Sequence, residues 1–160
     1  MSKAFTSESD DRDEILNLPP LPSGIKNYMT PAGAERLEIE IKKLQQEKEN
    51  MSASDVATQS RRDKIENRLR FLIPRFEAVR IIDPLQQARD RVLFGARVTL
   101  RDAQGQKETW RIVGIDELNL DQGDISWTSP LATALLDKKQ GDTFTFLNRI
   151  LTIERIDYQS

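Results

Sequence analysis

The chain has 160 residues, a formal net charge of −2 and a pI near 5.4, enough for one ordinary domain or two small ones. It has no cysteine and no histidine, which excludes disulfides, thiol nucleophiles, histidine-based triads and ordinary zinc ligation. Carboxylates, lysines, hydroxyls and carboxylate-bound magnesium are left for chemistry, and any basic surface must be local. No apolar run is long enough to span a bilayer and the N-terminus lacks an apolar targeting core, so a cytoplasmic protein without a membrane contact is expected.

Residues 1–27 place five acids between Glu8 and Glu14 ahead of PPLPSG. Such a stretch buries little apolar area and favours extended backbone, so it reads as a disordered acidic, proline-rich tail. A plain spacer and an acidic binding arm are both open, with Phe5, Ile15 and Leu16 available for a small docking contact.

Residues 28–83 read as a helical hairpin. Thr30-Pro31 supplies an N-cap followed by proline at the first helical position. Leu37, Ile41, Leu44, Lys48 and Met51 follow at spacings of 4, 3, 4 and 3, a heptad seam, and Ile65, Leu69, Leu72, Phe76 and Val79 repeat it. Folded antiparallel, Leu37 faces Val79 and Met51 faces Ile65. That pairing centres the turn near residue 58, with a tip at Ser54–Ser60 and Ser60 with Asp63 capping the returning helix. An arm from Pro31 to Ser54 would reach roughly 35 Å. Pro74 falls on the outer face of the second helix, where it costs about 3 kcal/mol relative to alanine and should bend it.

The two domains join near Asp83-Pro84, and from Arg91 the period changes from helical to alternating. Val92, Phe94, Ala96, Val98 and Leu100 line one face of an expected strand, DAQGQ is a turn, and ETWRIVGI is its antiparallel partner. LATALLDK after Ser129-Pro130 reads as a short helix, and GDTFTFLNRILTIERIDY as a closing hairpin turning near Asn148. The expected fold is α+β, with an antiparallel coiled-coil hairpin followed by an antiparallel sheet domain over 84–160 that carries one short helix.

Several separated motifs then resemble one family in the right order: YMTPAGAERL at 28–37, VRIID at 79–83, VLFGARV at 92–98, RIVGIDE at 111–117 and SWTSPLATALLDKKQGD at 126–142. They resemble the bacterial Gre transcript-cleavage factors, and the opening SKAFTSESD is similar to GreB-type members. The resemblance implies a coiled-coil arm and an FKBP-like C-terminal domain. It also implies a monomer that binds bacterial RNA polymerase, the domain at the rim of the secondary channel and the arm inserted. In cleavage factors the arm tip carries G-D-x-S-E-N-A, whose two carboxylates help hold a Mg2+ ion shared with the polymerase. No intrinsic cofactor is implied.

Laid on that motif, residues 54–60 put Asp55 at the aspartate position, while Thr58 replaces the glutamate and Arg61-Arg62 follow. A threonine hydroxyl is neutral and a poor substitute for a carboxylate at a second metal ion. Each helix is also shortened by about two turns, or about 10 Å, against a typical cleavage factor, a length similar to that of the Rnk member of the family. The resemblance therefore implies an elongation regulator that occupies the secondary channel without efficient cleavage stimulation, and is not itself an enzyme. A genuine cleavage factor and an FKBP-like prolyl isomerase or chaperone are the alternatives.

Two further sets of residues are singled out. Between Arg61 and Arg80, seven bases, among them Arg61, Arg62, Lys64 and Arg68, oppose Asp63, Glu66 and Glu77. That patch is either a contact for the RNA 3′ end or channel wall, or an ordinary solvated coiled-coil face. By resemblance Ser126–Asp142 docks on polymerase, with Ser129, Pro130, Lys138 and Lys139 the candidates and the leucines of the same stretch assigned to the core. Trp110 is expected in the core, and Trp127 either in the core or as a surface anchor. GQKETWRIVG lacks the glycine spacing and following helix of a phosphate loop.

Overall fold

The computed structural model describes residues 26–52 and 55–159. The acidic tail, Ser54 and Ala53 lie outside them. The chain divides into two compact units, one containing Leu37–Ala78 and the other Asn27–Arg36 with Val79–Ser160.

In the first unit, helix α1 (Pro31–Glu49, which begins in the second unit) and helix α2 (Val56–Glu77) run antiparallel. Leu37, Ile41, Ile65, Leu69 and Leu72 are the buried seam. The ion pairs Arg61–Glu47 at 2.8 Å and Arg68–Glu40 at 2.9 Å fix the register, and both are centred on residue 54. The turn therefore lies about four residues earlier than the heptads alone suggest. Helix α1 stops at Glu49, leaving Met51 half-buried in the connection rather than in the seam. Val79 has left the helix altogether. The 19 residues of α1 span roughly 28 Å instead of the expected 35 Å. Apolar spacing repeats every heptad and cannot by itself exclude a slip along the seam; the cross-helix charges do.

The N-cap expectation is corrected too. Ser60 lies inside α2, and Asp63 accepts from Gln59 Nε2 at 3.0 Å. Asp55 is the cap, with extended backbone (φ −139°, ψ 168°) and a side chain that accepts from the Thr58 amide. Pro74 sits exposed four residues from Ala78, whose amide bonds back to the Pro74 carbonyl in the closing turn.

The second unit is built on a five-stranded sheet. Its strands are β3 (Ala96–Asp102), β4 (Lys107–Val113), β5 (Asp124–Ser126), β6 (Thr143–Phe146) and β7 (Arg149–Tyr158), in the order β5-β4-β3-β7-β6. All neighbours are antiparallel except β4 and β5. Helix α3 (Pro130–Leu135) contributes Ala132 and Leu135 to a core with Val98, Leu100, Ile112, Leu151 and Ile153. The turn at Asn148 is as expected: Leu147 and Asn148 both have positive φ, the requirement of a two-residue hairpin.

The strand expected from Val92 begins only at Ala96. Val92 and Phe94 are buried as the alternation suggests, but their stretch bonds elsewhere. The Val92 amide donates to the Lys138 carbonyl, and the Gly95 amide, at φ 88°, donates to the Ile112 carbonyl. The Tyr158 hydroxyl ties the stretch down, donating to the Arg91 carbonyl at 2.6 Å and accepting from the Leu93 amide at 2.9 Å.

Two short strands, β1 (Asn27–Met29) and β2 (Val79–Ile81), pair in parallel, Asn27 with Val79. Strand β1 lies so close to Gly114 that a Cβ there would stand 2.0 Å from the Tyr28 carbonyl oxygen. The next turn, Ile115–Glu117, anchors the start of α1. Glu117 is buried and accepts from the Thr30 amide at 2.7 Å and the Thr30 hydroxyl at 2.5 Å, while Asp116 accepts from Asn27 at 3.0 Å. The Thr30 hydroxyl in turn accepts from the Gly33 amide in the first turn of α1. Burial pushes the Glu117 carboxyl above its ordinary range, against the pull of the Thr30 and Gly114 hydrogen bonds and the Arg111 charge.

Replacing Tyr158 with phenylalanine orphans the Leu93 amide and Arg91 carbonyl. It should cost about 1–3 kcal/mol in urea unfolding. Because the native state holds the Glu117 proton more tightly than the unfolded chain does, stability from this group is greatest below the ordinary glutamate value. It falls as pH rises through the raised one. Both tryptophans lie in this unit, so fluorescence-monitored unfolding between about pH 4 and about pH 8 reads it. The wild-type curve should carry a declining component that Glu117→Gln lacks; equal slopes would refute the assignment.

Candidate functional site

Helix α1 ends at Glu49 and α2 begins at Val56. Asp55 is exposed, and its Oδ1 accepts the Thr58 amide at 2.7 Å. Hydrogen bonds from Thr58, backbone first and then side chain, with a smaller one from Ala57, hold this carboxyl below its ordinary range. Val56, beside it, is 87% exposed. The tip thus presents an anionic carboxylate and an apolar side chain at the positive end of a 22-residue helix. Thr58, half-buried one turn on, adds a hydroxyl and no charge. One exposed carboxylate with an oxygen committed to the cap does not fit a magnesium site of this chain's own, which needs several oxygen ligands.

The basic set sequence reasoning singled out is largely neutralised. Arg61 makes a bidentate pair with Glu47 at 2.8 and 3.0 Å, which raises the Arg61 pKa and lowers that of Glu47. Arg68 pairs with Glu40 and lies 5.8 Å from the Phe71 ring centre. Arg62 stands 3.7 Å from Glu66, which also receives Lys48 at 3.3 Å. Exposed Lys64 makes no ion pair among the described residues. Lys48, Arg62 and Arg70 line an open groove of about 710 Å³ beside Leu69 and Ile73. Glu47 and Glu40 went unnoticed in the sequence because their partners are assigned only once the turn is placed.

The second candidate stretch lies in the sheet unit. Ser129 caps α3, its hydroxyl accepting from the Ala132 amide at 3.2 Å, and Pro130 is exposed at the first helical position. The preceding bend is closed by Ser126 and Thr128, whose hydroxyls are 2.7 Å apart. After the helix Asp137 takes φ 69°, and the Lys138 ammonium lies 5.8 Å from the Phe144 ring centre. Lys139 is exposed, and its amide donates to Asp142 at 2.8 Å. Pro130, Lys138 and Lys139 thus flank one short helix, while Leu135 beneath it is wholly buried. Trp127 packs edge-on against Tyr28 at 5.1 Å, and Trp110 borders the core. The tip residues and these residues belong to different units. Among the described residues, no helix is long and apolar enough to cross a membrane.

Comparison with known proteins gives a consistent answer. The family model described as "Transcription elongation factor, GreA/GreB, C-term" matches residues 86–157. The chain is 38% identical over 134 residues to the transcription elongation factor GreB of Neisseria meningitidis serogroup A, across 73% of this chain and 82% of that one. It is 37% identical over 132 residues to the transcription elongation factor GreA of Acidiphilium cryptum, across 72% and 84% of the two chains. A solved GreA/GreB transcription elongation factor from Nitrosomonas europaea superposes with a TM-score of 0.42 at 21% identity, covering 83% of this chain and all of that one. The chain belongs to the GreA/GreB family of transcription elongation factors.

Proposed function

We propose that this protein is a GreB-like elongation regulator that binds bacterial RNA polymerase at the secondary channel and stimulates transcript cleavage weakly or not at all. The observation that carries the second half is the state of Asp55. Its carboxylate is used as a helix cap, and no second carboxylate follows at the Thr58 position. Two-metal hydrolysis needs anionic oxygens to hold an ion against its own hydration shell, and a half-committed single carboxylate supplies few. Any magnesium would be held chiefly by the polymerase. On this chain the tip contributes shape, one negative charge and the exposed Val56 side chain. The paired arginines of the arm, above all Arg61 with Glu47, stiffen the hairpin more than they offer free charge. Polymerase docking is assigned to the shoulder of Ser129, Pro130, Lys138 and Lys139, of which Pro130 and Lys139 are exposed and Ser129 and Lys138 half-buried.

Family membership keeps one rival reading alive, that of an active cleavage factor in which Asp55 suffices. Asparagine caps a helix as well as aspartate does but carries no charge, so the two substitutions separate the roles. Asp55→Ala should lower the hairpin's thermal stability, and Asp55→Asn should not. In a cleavage assay on stalled elongation complexes, both should behave as wild type does. Strong wild-type cleavage abolished by Asp55→Asn would establish the rival reading.

Docking is tested separately. Reversing charge in a Lys138→Glu/Lys139→Glu variant should weaken polymerase binding by about tenfold or more in a fluorescence titration, with an unchanged unfolding midpoint. Unaltered affinity would remove this shoulder from the interface.

A further inference from the structure

We propose that the solvent face of the five-stranded sheet docks on the sugar–phosphate backbones of a nucleic-acid duplex. Arg97, Thr99 and Arg101 on β3 stand opposite Arg111, Thr109 and Lys107 on β4. Alternation directs all six away from the core formed by Val98, Leu100 and Ile112. Cation therefore faces cation at two cross-strand positions, and in each pair only the β4 member has a protein counterion, Asp124 for Arg111 and Glu154 for Lys107, which leaves Arg97 and Arg101 to meet an outside anion. Between the two pairs the Thr99 and Thr109 hydroxyls hydrogen-bond each other at 3.3 Å, which leaves one O–H as a neutral donor.

The acids beside this face neutralise the two β4 cations and leave those of β3 unpaired. Asp124 is bound by Arg111 at 2.8 Å, Glu154 by Lys107 at 3.1 Å, and Asp157, opposite Arg97, by Arg155 at 2.8 Å. Arg97 and Arg101 make no ion pair among the described residues, and the Arg97 Nε is buried without a hydrogen-bond partner. The unneutralised charge sits on the central strand of a chain that is acidic overall.

Spacing selects the occupant. The two cation rows are four residues apart along β3, about 13 Å at strand rise, close to the roughly 12 Å that separates the backbones across a DNA major groove. A single strand would need aromatic rings for its bases, and the residues of this face on β3 and β4 include none. The inference rests on the transcriptional reading above but does not use the polymerase-docking shoulder.

The test uses the full-length protein, isotopically labelled, titrated at low salt with a mixed-sequence duplex of about 20 base pairs. Its other arms are one strand of that duplex and poly-glutamate. The duplex should move the amides of Thr99, Arg101, Lys107 and Thr109, whereas the single strand and poly-glutamate should not. In anisotropy titrations Arg97→Gln/Arg101→Gln should lose at least about fivefold in affinity, with a salt dependence shallower by about two phosphate contacts. Exposed Arg101→Gln alone should show about half that change, so the test does not depend on the half-buried Arg97. Arg62→Gln/Lys64→Gln should leave the sheet-face shifts intact. Unmoved amides, unaltered affinity of both sheet variants, or equal shifts with poly-glutamate would overturn the proposal. Polymerase binding by the same variants, measured in parallel, stays at the wild-type level and separates this result from failure of the docking reading.

Discussion

The Glu117 carboxylate is the joint on which the second unit depends. A buried carboxylate costs free energy unless donors surround it, and Thr30 provides two, one from its amide and one from its hydroxyl. Three elements are ordered by that one contact. Strand β1 is held just before Thr30, the first turn of α1 is capped through the same hydroxyl, and β2 has a partner only because β1 is in place. Gly114 completes the joint by leaving room for the Tyr28 carbonyl. Hydrophobic burial alone would not select this arrangement, since strands of three residues bury little; directional hydrogen bonds to one charge do.

Much of the fold was legible because it rests on periodicity. The heptads gave the hairpin, the alternation in ARVTLRD and KETWRIV gave the central strands, and Ser129-Pro130 announced α3. The failures have physical causes. A seam that repeats every seven residues looks the same after a slip, so the turn was placed too late, and the signal that fixes it is the pairing of Glu40 and Glu47 with arginines of the returning helix. Strands β1, β2 and β5 have three residues each, too short to display a period. Glu117 reads as a surface acid in GIDE, since nothing local indicates that a threonine 87 positions away will bury it.

The tip shows why a motif position and a structural role can be confused. An acid placed three residues before a half-buried threonine is what a helix N-terminus requires, and it is also where a family motif expects a carboxylate. Asp55 meets both descriptions with one side chain. The geometry resolves its cap role, and Thr58 one turn on adds a hydroxyl and no second carboxylate. Of the candidate residues, the tip follows from the family motif and the basic patch from a local excess of charge, but the neutralisation of Arg61 and Arg68 by cross-helix carboxylates is invisible until the register is known. The cation ladder on β3 and β4 lay in plain alternation and carried no motif to draw attention to it.

Sheet order also has a bearing on synthesis. Strand β7 follows every other strand of its sheet in sequence, yet it sits inside the sheet, between β3 and β6, and its Tyr158 ties down Arg91 and Leu93. The hairpin is complete in sequence by Glu77 and rests on local contacts, so it can form while the rest is still being translated. The sheet unit cannot: until the ten-residue β7 leaves the ribosome, β3 exposes an unpaired edge and an uncovered apolar face. A nascent chain halted before β7 would therefore hold a folded hairpin and an open, association-prone sheet, and it is β7 that closes the sheet.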